Sequence, residues 1–134
     1  MSLELHQLSI SQVSKLLKKK QISPIELTKI CLDRIEKYNP KLNAFIAVYA
    51  EEAMQQAKIA TRQIARNEYK GKLHGVPIAI KDNIYFKNKV TTMGSKIHGN
   101  FVSDFDATSV VKLRESGAIF LGKTNMHEYA LGAT

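Results

Sequence analysis

The run Gly75–Val76–Pro77–Ile78–Ala79–Ile80–Lys81–Asp82–Asn83 constrains the fold of this chain more than any other stretch. An apolar segment this short, bounded by glycine and polar breakers, reads as a strand over Val76–Ile80 buried on both faces, with Pro77 tolerated near its start. Lys81 then stands at the carboxyl end of that strand, the edge of an α/β sheet where ligand sites gather. Desolvation in such a place favours the neutral amine of a lysine, which can act as a base. The plainer alternative is a lysine that closes a strand and points into water, since lysines are rarely fully buried.

Helices precede this strand. Ser9 and Gln12 form a capping box, Leu8 and Val13 a hydrophobic staple, and Ile10, Val13, Leu16 and Leu17 an apolar face. Ser23, Pro24 and Glu26 repeat the signal for a second helix, with Ile22 stapled to Leu27. Its face is Leu27, Ile30, Cys31, Ile35 and Tyr38, and Asn39–Pro40 is expected to stop it. A third helix runs from about Glu51 to Arg66 on a face of Ala53, Met54, Ala57, Ala60 and Ile64. Beyond the polar loop at 68–72 the pattern changes to strands and turns, with short irregular strands expected at Ile84–Phe86 and near Val90–Thr92. Asp106 is expected to cap a helix ending at Gly117, Ala118–Leu121 to form a second buried strand, and Asn125 to cap a last short helix. The fold class is therefore α/β: residues 1–67 mainly helical, residues 68–134 the start of an α/β core, all within one domain.

The 134 residues are enough for one domain with a core. No apolar run approaches the roughly 18–20 residues of a membrane span, and Met1–His6 lacks the pattern of a secretory signal. A single cysteine, Cys31, on the apolar face of a helix reads as a structural thiol rather than a nucleophile. These features together give an expectation of a cytoplasmic protein without a membrane partner. The net charge of +8 raises the question of nucleic acid. The lysines are scattered except at Lys18–Lys19–Lys20, where no aromatic residues interleave, and a solvated helix end explains that run better than a tRNA patch.

Other motifs fail on mechanism. Gly117–Ala118–Ile119–Phe120–Leu121–Gly122–Lys123–Thr124 spells a Walker A sequence. A phosphate loop follows a strand and precedes a helix, whereas here a helix comes first and the middle of the match is an apolar strand. No nucleotide site is expected there. Ser109–Val110–Val111–Lys112 spells Ser-x-x-Lys, but without companion motifs, on a helix whose valines should face inward. His6, His74, His98, His127 and Cys31 share no zinc spacing, so no metal site is expected. Asp82 and Asn83 either orient Lys81 or turn the chain, and local chemistry favours the turn. Ser95 has no local feature of a nucleophile.

The stretch Leu73–Asn83 resembles the lysine motif of the amidase signature family, and Gly122–Gly132 resembles a second stretch of that family. The intervening Asp106–Val111 and the early Arg34–Phe45 fit in order and spacing. The resemblance covers nearly the whole chain. It implies an α/β/α sandwich with a mixed sheet, incomplete here, and a Ser–cis-Ser–Lys triad whose lysine is Lys81. It places both serines beyond Thr134, so the chain reads as the N-terminal portion of a longer protein and is expected to be inactive alone. Leu131 and Gly132 fall in the stretch similar to the family's substrate-pocket loop. Leu131 stands where methionine is common, and His127 where an acidic residue is common. Within the family the likeness is strongest to the branch that hydrolyses glutamine and supplies ammonia for amidating mischarged Glu-tRNA(Gln) or Asp-tRNA(Asn). That branch implies two partners, a tRNA-binding kinase/transferase of the B type and a small protein of the C type. It also implies ATP and Mg on a partner rather than on this chain, and only indirect contact with tRNA. The alternatives are an amidase of the same family acting on small carboxamides, and a non-catalytic remnant.

Overall fold

Capping and apolar spacing set the helical elements, and the computed structural model describes residues 4–132. In chain order the elements are α1 (Ile10–Lys18), α2 (Pro24–Leu42), β1 (Phe45–Val48), α3 (Ala50–Ala65), β2 (Pro77–Lys81), α4 (Thr108–Glu115) and β3 (Ile119–Thr124). Short 3-10 turns lie at Leu5–Gln7, Lys96–His98 and Glu128–Ala130.

Both halves of the Ser9/Gln12 capping box are formed at α1, and Ser23 accepts a hydrogen bond from the Glu26 N–H at the start of α2. Ile10, expected in the core, is instead half exposed, and Val13 and Leu17 carry the buried face. Asn39–Pro40 does not stop α2, which continues to Leu42 and closes on Asn43 in the left-handed region (φ 49°). Pro40 cannot donate to the Glu36 carbonyl, and Glu36 lies on an exposed side of the helix, where that carbonyl is not sealed in the core. Asn39 does something else: its side-chain amide donates to Phe45 O at 3.0 Å and accepts from Phe45 N–H at 2.8 Å. It thereby pins the start of β1, a strand the helix-dominated reading of residues 1–67 does not anticipate.

The sheet is mixed, in the order β1-β3-β2, with β1 antiparallel and β2 parallel to β3. The central strand is β3, every residue of which is buried up to Lys123. This corrects the expectation for Val76–Ile80: β2 is an edge strand among the described residues, with Ala79 exposed. The double burial assigned to it belongs to β3, which reaches Thr124 rather than ending at Leu121. On one face of the sheet α2 and α3 bury Ala53, Ala57, Ile119 and Leu121 with Ile25, Leu32 and Ile35 packed around them. On the other, Ile80, Phe86, Val110 and Phe120 form a cluster from α4 and the 83–107 loop. The result is layered α/β packing of the kind expected. A third cluster, Leu5, Val13, Leu17, Leu27, Ile64 and Val76, joins α1 to the rest.

Asp106 does not cap α4. Ala107 holds the N-cap position without a side-chain bond, while Asp106 accepts from Lys87 N–H at 2.7 Å and pairs with Arg114 at 3.0 Å. The helix ends as expected at Gly117 (φ 80°), with Gly117 N–H bonding Arg114 O and Ala118 N–H bonding Leu113 O, a Schellman closure. Of the two valines expected to face inward, Val110 is buried and Val111 exposed. The irregular strands expected at 84–86 and 90–92 reduce to one isolated bridge, Val90 to Val102. Asn125 accepts from Met126 N–H, but the last turn has His127 at its N-cap and is a single 3-10 turn.

The β2–β3 ladder contains a bulge. Ile78 pairs with Phe120, but Ala79 pairs with Gly122, so Leu121 is an extra residue on β3. Gly122 takes φ 155°, and a Cβ there would lie 2.1 Å from the Ala47 carbonyl oxygen of β1. Ile80 then stands opposite Lys123. Directly paired residues share a sheet face, so the bulge turns Lys123 to the side of Ile80 and Phe120.

Candidate active site

The carboxyl end of β2 is built around a buried ion pair. Lys123 and Asp82 have side chains 1% and 0% exposed, with Lys123 Nζ 3.2 Å from Asp82 Oδ1. Lys123 also donates to Ile84 O at 2.8 Å and to Thr91 Oγ1 at 2.9 Å, which uses all three ammonium hydrogens. Asp82 Oδ2 accepts from Thr92 N–H at 3.1 Å and from the Thr92 hydroxyl. Burial pushes the Lys123 ammonium below the ordinary lysine range, and the charge and hydrogen bond of Asp82 only partly offset this. Alternation along β2 places Asp82 with Ile80 on this inner face and Lys81 on the opposite one.

Lys81 is exposed. Its backbone pairs with Thr124 of β3, and the next residue is tied on both sides, Asp82 N–H to Thr124 O at 3.1 Å and Met93 N–H to Asp82 O at 3.1 Å. The peptide that carries Lys81 is thus anchored although its side chain is exposed, the plainer of the two arrangements the sequence allows. The turn assigned to Asp82–Asn83 is present, closed by Ile84 N–H on Lys81 O. Asp82, however, directs its carboxylate at Lys123, not at Lys81.

Leu131 and Gly132 lie after the last 3-10 turn and are exposed, Leu131 by 81%. They are connected to the Lys81 end of the sheet through backbone: Tyr129 N–H bonds Met93 O at 2.8 Å, and Met93 in turn bonds Asp82. Gly132 packs against the His127 ring so closely that a Cβ would sit 2.4 Å from it. Ser95 is buried and accepts from Ile97 N–H, a turn-forming role.

The Walker-like residues form the turn after α4 and the central strand. Ile119 N–H bonds Val76 O and Phe120 N–H bonds the Gln56 side chain, so these donors are already engaged within the fold. Ser109 and Lys112 are exposed on α4. The Cys31 thiol is half-buried and raised by burial, with Arg34 opposing, which keeps it protonated and inert. The phenol of Tyr49, near Phe86 and under the Lys89 ammonium, is pushed up to about 12 by burial, then by Asp82 and Glu52. Among the described residues no group of three or more His, Cys, Asp or Glu could hold a metal ion, and no helix is long and apolar enough to cross a membrane.

Sequence reasoning missed the Lys123–Asp82 pair. A lysine at the end of an otherwise fully apolar run was a usable signal, since such a lysine is buried only with a carboxylate partner.

Lys81 thus stands at the carboxyl end of a strand parallel to the central one, in a mixed sheet with helices on both faces. The chain belongs to the amidase family, whose description, Amidase, matches residues 26–134. It is 48% identical over 130 residues to the A-type chain of the glutamyl-tRNA(Gln) amidotransferase of Desulfatibacillum aliphaticivorans, a match that covers 97% of this chain and 27% of that protein. The native peptide amidase of Stenotrophomonas maltophilia superposes with a TM-score of 0.87 at 30% identity, over 94% of this chain and 26% of that one. A bacterial aryl acylamidase of the amidase signature family gives 0.83 at 30%, over 91% and 26%. The chain therefore spans 27% of the length of the curated relative it matches.

Proposed function

We propose that this segment supplies Lys81 as the base of a Ser–cis-Ser–Lys amide-hydrolysing site in the glutamine-hydrolysing component of an amidotransferase. The observation that carries the reading is the placement of Lys81: an exposed side chain on an anchored peptide, at the carboxyl end of a strand parallel to the central one. In the full-length protein a serine attacks the carboxamide carbonyl of glutamine and an acyl-enzyme forms. The cis-serine passes the attacking proton to Lys81 as the base, which returns a proton to the departing ammonia. Both serines and the donors for the tetrahedral oxyanion belong to the part of the relatives that this chain does not cover. Leu131 and Gly132 contribute to the carboxamide pocket.

The 48% identity to the glutamyl-tRNA(Gln) amidotransferase chain supports glutamine as the substrate and transfer of ammonia to a tRNA-binding partner of the B type. That partner binds ATP and Mg, and a small partner of the C type completes a cytoplasmic assembly. The test is Lys81→Ala in the full-length protein. Ammonia release from glutamine is expected to be abolished with the circular dichroism spectrum unchanged, because an exposed side chain contributes under about 0.5 kcal/mol to stability. Full turnover by the variant removes Lys81 from the mechanism.

A further inference from the structure

Thr92 ties together the two parts of the chain that the proposed site needs. Its N–H and hydroxyl both reach Asp82 Oδ2, and its Oγ1 accepts from Gly94 N–H at 3.1 Å. These bonds pin the turn Thr92–Met93–Gly94, in which Met93 and Gly94 hold φ of 54° and 70°. Met93 carries backbone bonds in two directions, its N–H to Asp82 O next to Lys81 and its carbonyl to Tyr129 N–H. Tyr129 and Ala130 are themselves left-handed, with φ of 50° and 58°. Non-glycine residues persist in that region only where their surroundings over-determine them, and such residues cluster at ligand clamps. The packing between turn and strap leaves no slack: a Cβ on Gly94 would lie 2.8 Å from Met126 O and 3.2 Å from Glu128 Cα.

We infer that Thr92 is a positioning residue of the amide-hydrolysing site. Through Asp82 it fixes the direction in which the end of β2 presents Lys81, and through Met93 it holds the 126–132 strap at a set separation from that lysine. This rests on Lys81 being the base. The hydroxyl, not the bulk, of Thr92 does the positioning, because it bonds Asp82 and Gly94 at once. A displacement of about 1 Å between base and substrate costs on the order of 100-fold in rate, so loosening this turn slows chemistry without removing any reacting group.

The test compares Thr92→Val, Thr92→Ser and Lys81→Ala in the full-length protein. Ammonia release from glutamine is normalised to active sites counted by covalent labelling with an electrophilic glutamine analogue. Thr92→Val is expected to lower kcat per labelled site by about tenfold or more and to raise KM, as both base and strap shift. Thr92→Ser, which keeps the hydroxyl, is expected to stay within about twofold of the parent. A merely structural residue would lower the number of labelled sites and leave kcat and KM per site alone. Parent kcat and KM in Thr92→Val, with Lys81→Ala inactive, overturn the positioning role and leave the base in place. Full turnover by Lys81→Ala overturns both. Should Thr92→Val yield too little folded protein, Thr92→Ala, which adds no bulk, is held to the same criterion.

Discussion

Replacing Lys123 by methionine tests how far the core depends on the buried ion pair. The substitution keeps the length of the side chain and removes three hydrogen bonds, to Asp82 Oδ1, Ile84 O and Thr91 Oγ1. Asp82 is then a carboxylate with no exposed surface and no counter-charge. Breaking a buried pair from one side costs about 3–5 kcal/mol, more than the pair itself is worth against an apolar replacement. Adding Asp82→Asn removes the stranded charge while the amide oxygen still accepts from Thr92, so about 2 kcal/mol should return, a coupling of the size neighbouring residues show. With a urea slope of roughly 2 kcal/mol per molar, Lys123→Met lowers the unfolding midpoint by about 2 M and the double variant recovers about half. Equilibrium urea unfolding followed by circular dichroism measures this. A single-variant cost below about 1 kcal/mol, or a double variant whose cost is the sum of the two singles, would refute the argument.

Two further outcomes concern the fold. His74 is fully buried, accepts from Lys70 N–H through Nδ1 at 3.1 Å and bonds Gln63 Oε1 through Nε2 at 2.9 Å; burial, then Lys70, lowers its pKa from the ordinary 6.5. The unfolded chain therefore binds a proton that the folded one refuses: its contribution is complete above about pH 6.5 and is lost as pH falls through the folded value. Unfolding midpoints at pH 7.5 and 5.5 should differ in the parent and differ less in His74→Phe; equal slopes exclude His74 as the source. Gly122→Ala drives a Cβ into the Ala47 carbonyl of β1, and since backbone meets backbone the cost is expected to exceed about 3 kcal/mol, against roughly 1 kcal/mol for an average substitution. A midpoint within the error of the parent would show that β1 can move aside.

The helices are legible in the sequence because their signals are local. Capping residues at Ser9 and Ser23 and the spacing of Val13, Leu17, Leu27 and Ile64 are read within one or two turns. Lys81 enters as a candidate through a family likeness that spans nearly the whole chain. What fails depends on partners distant in sequence. Pro40 is read as a stop although the carbonyl it frees is on an exposed side of α2, and Asn39 points to β1 only once Phe45 is beside it. Asp106 looks like a cap until Lys87 and Arg114 claim its carboxylate. The burial of β2 is overestimated because an apolar run does not say which strand is central. Lys123 falls inside the Walker-like sequence and is set aside with it, although its position after Ile119–Leu121 already points to a buried carboxylate partner.

The bulge at Leu121 means that β3 keeps two sets of accounts in one strand. Up to Leu121, odd-numbered residues face α2 and α3; from Lys123 the parity is reversed, and an odd-numbered residue joins the opposite layer. The bulge therefore decides which layer receives Lys123. Exchange of one aliphatic residue for another at Ile119 or Leu121 perturbs packing locally. With every residue kept, a simple alternation would carry the side chain of Lys123 away from Asp82 and bring it up against the apolar underside of α3, whereas loss of Leu121 together with the bulge leaves Lys123 opposite Ile80 and gives up only the packing of Leu121. Drift along this strand should accordingly keep Lys123 facing Asp82, either by retaining the bulge or by losing it together with one residue.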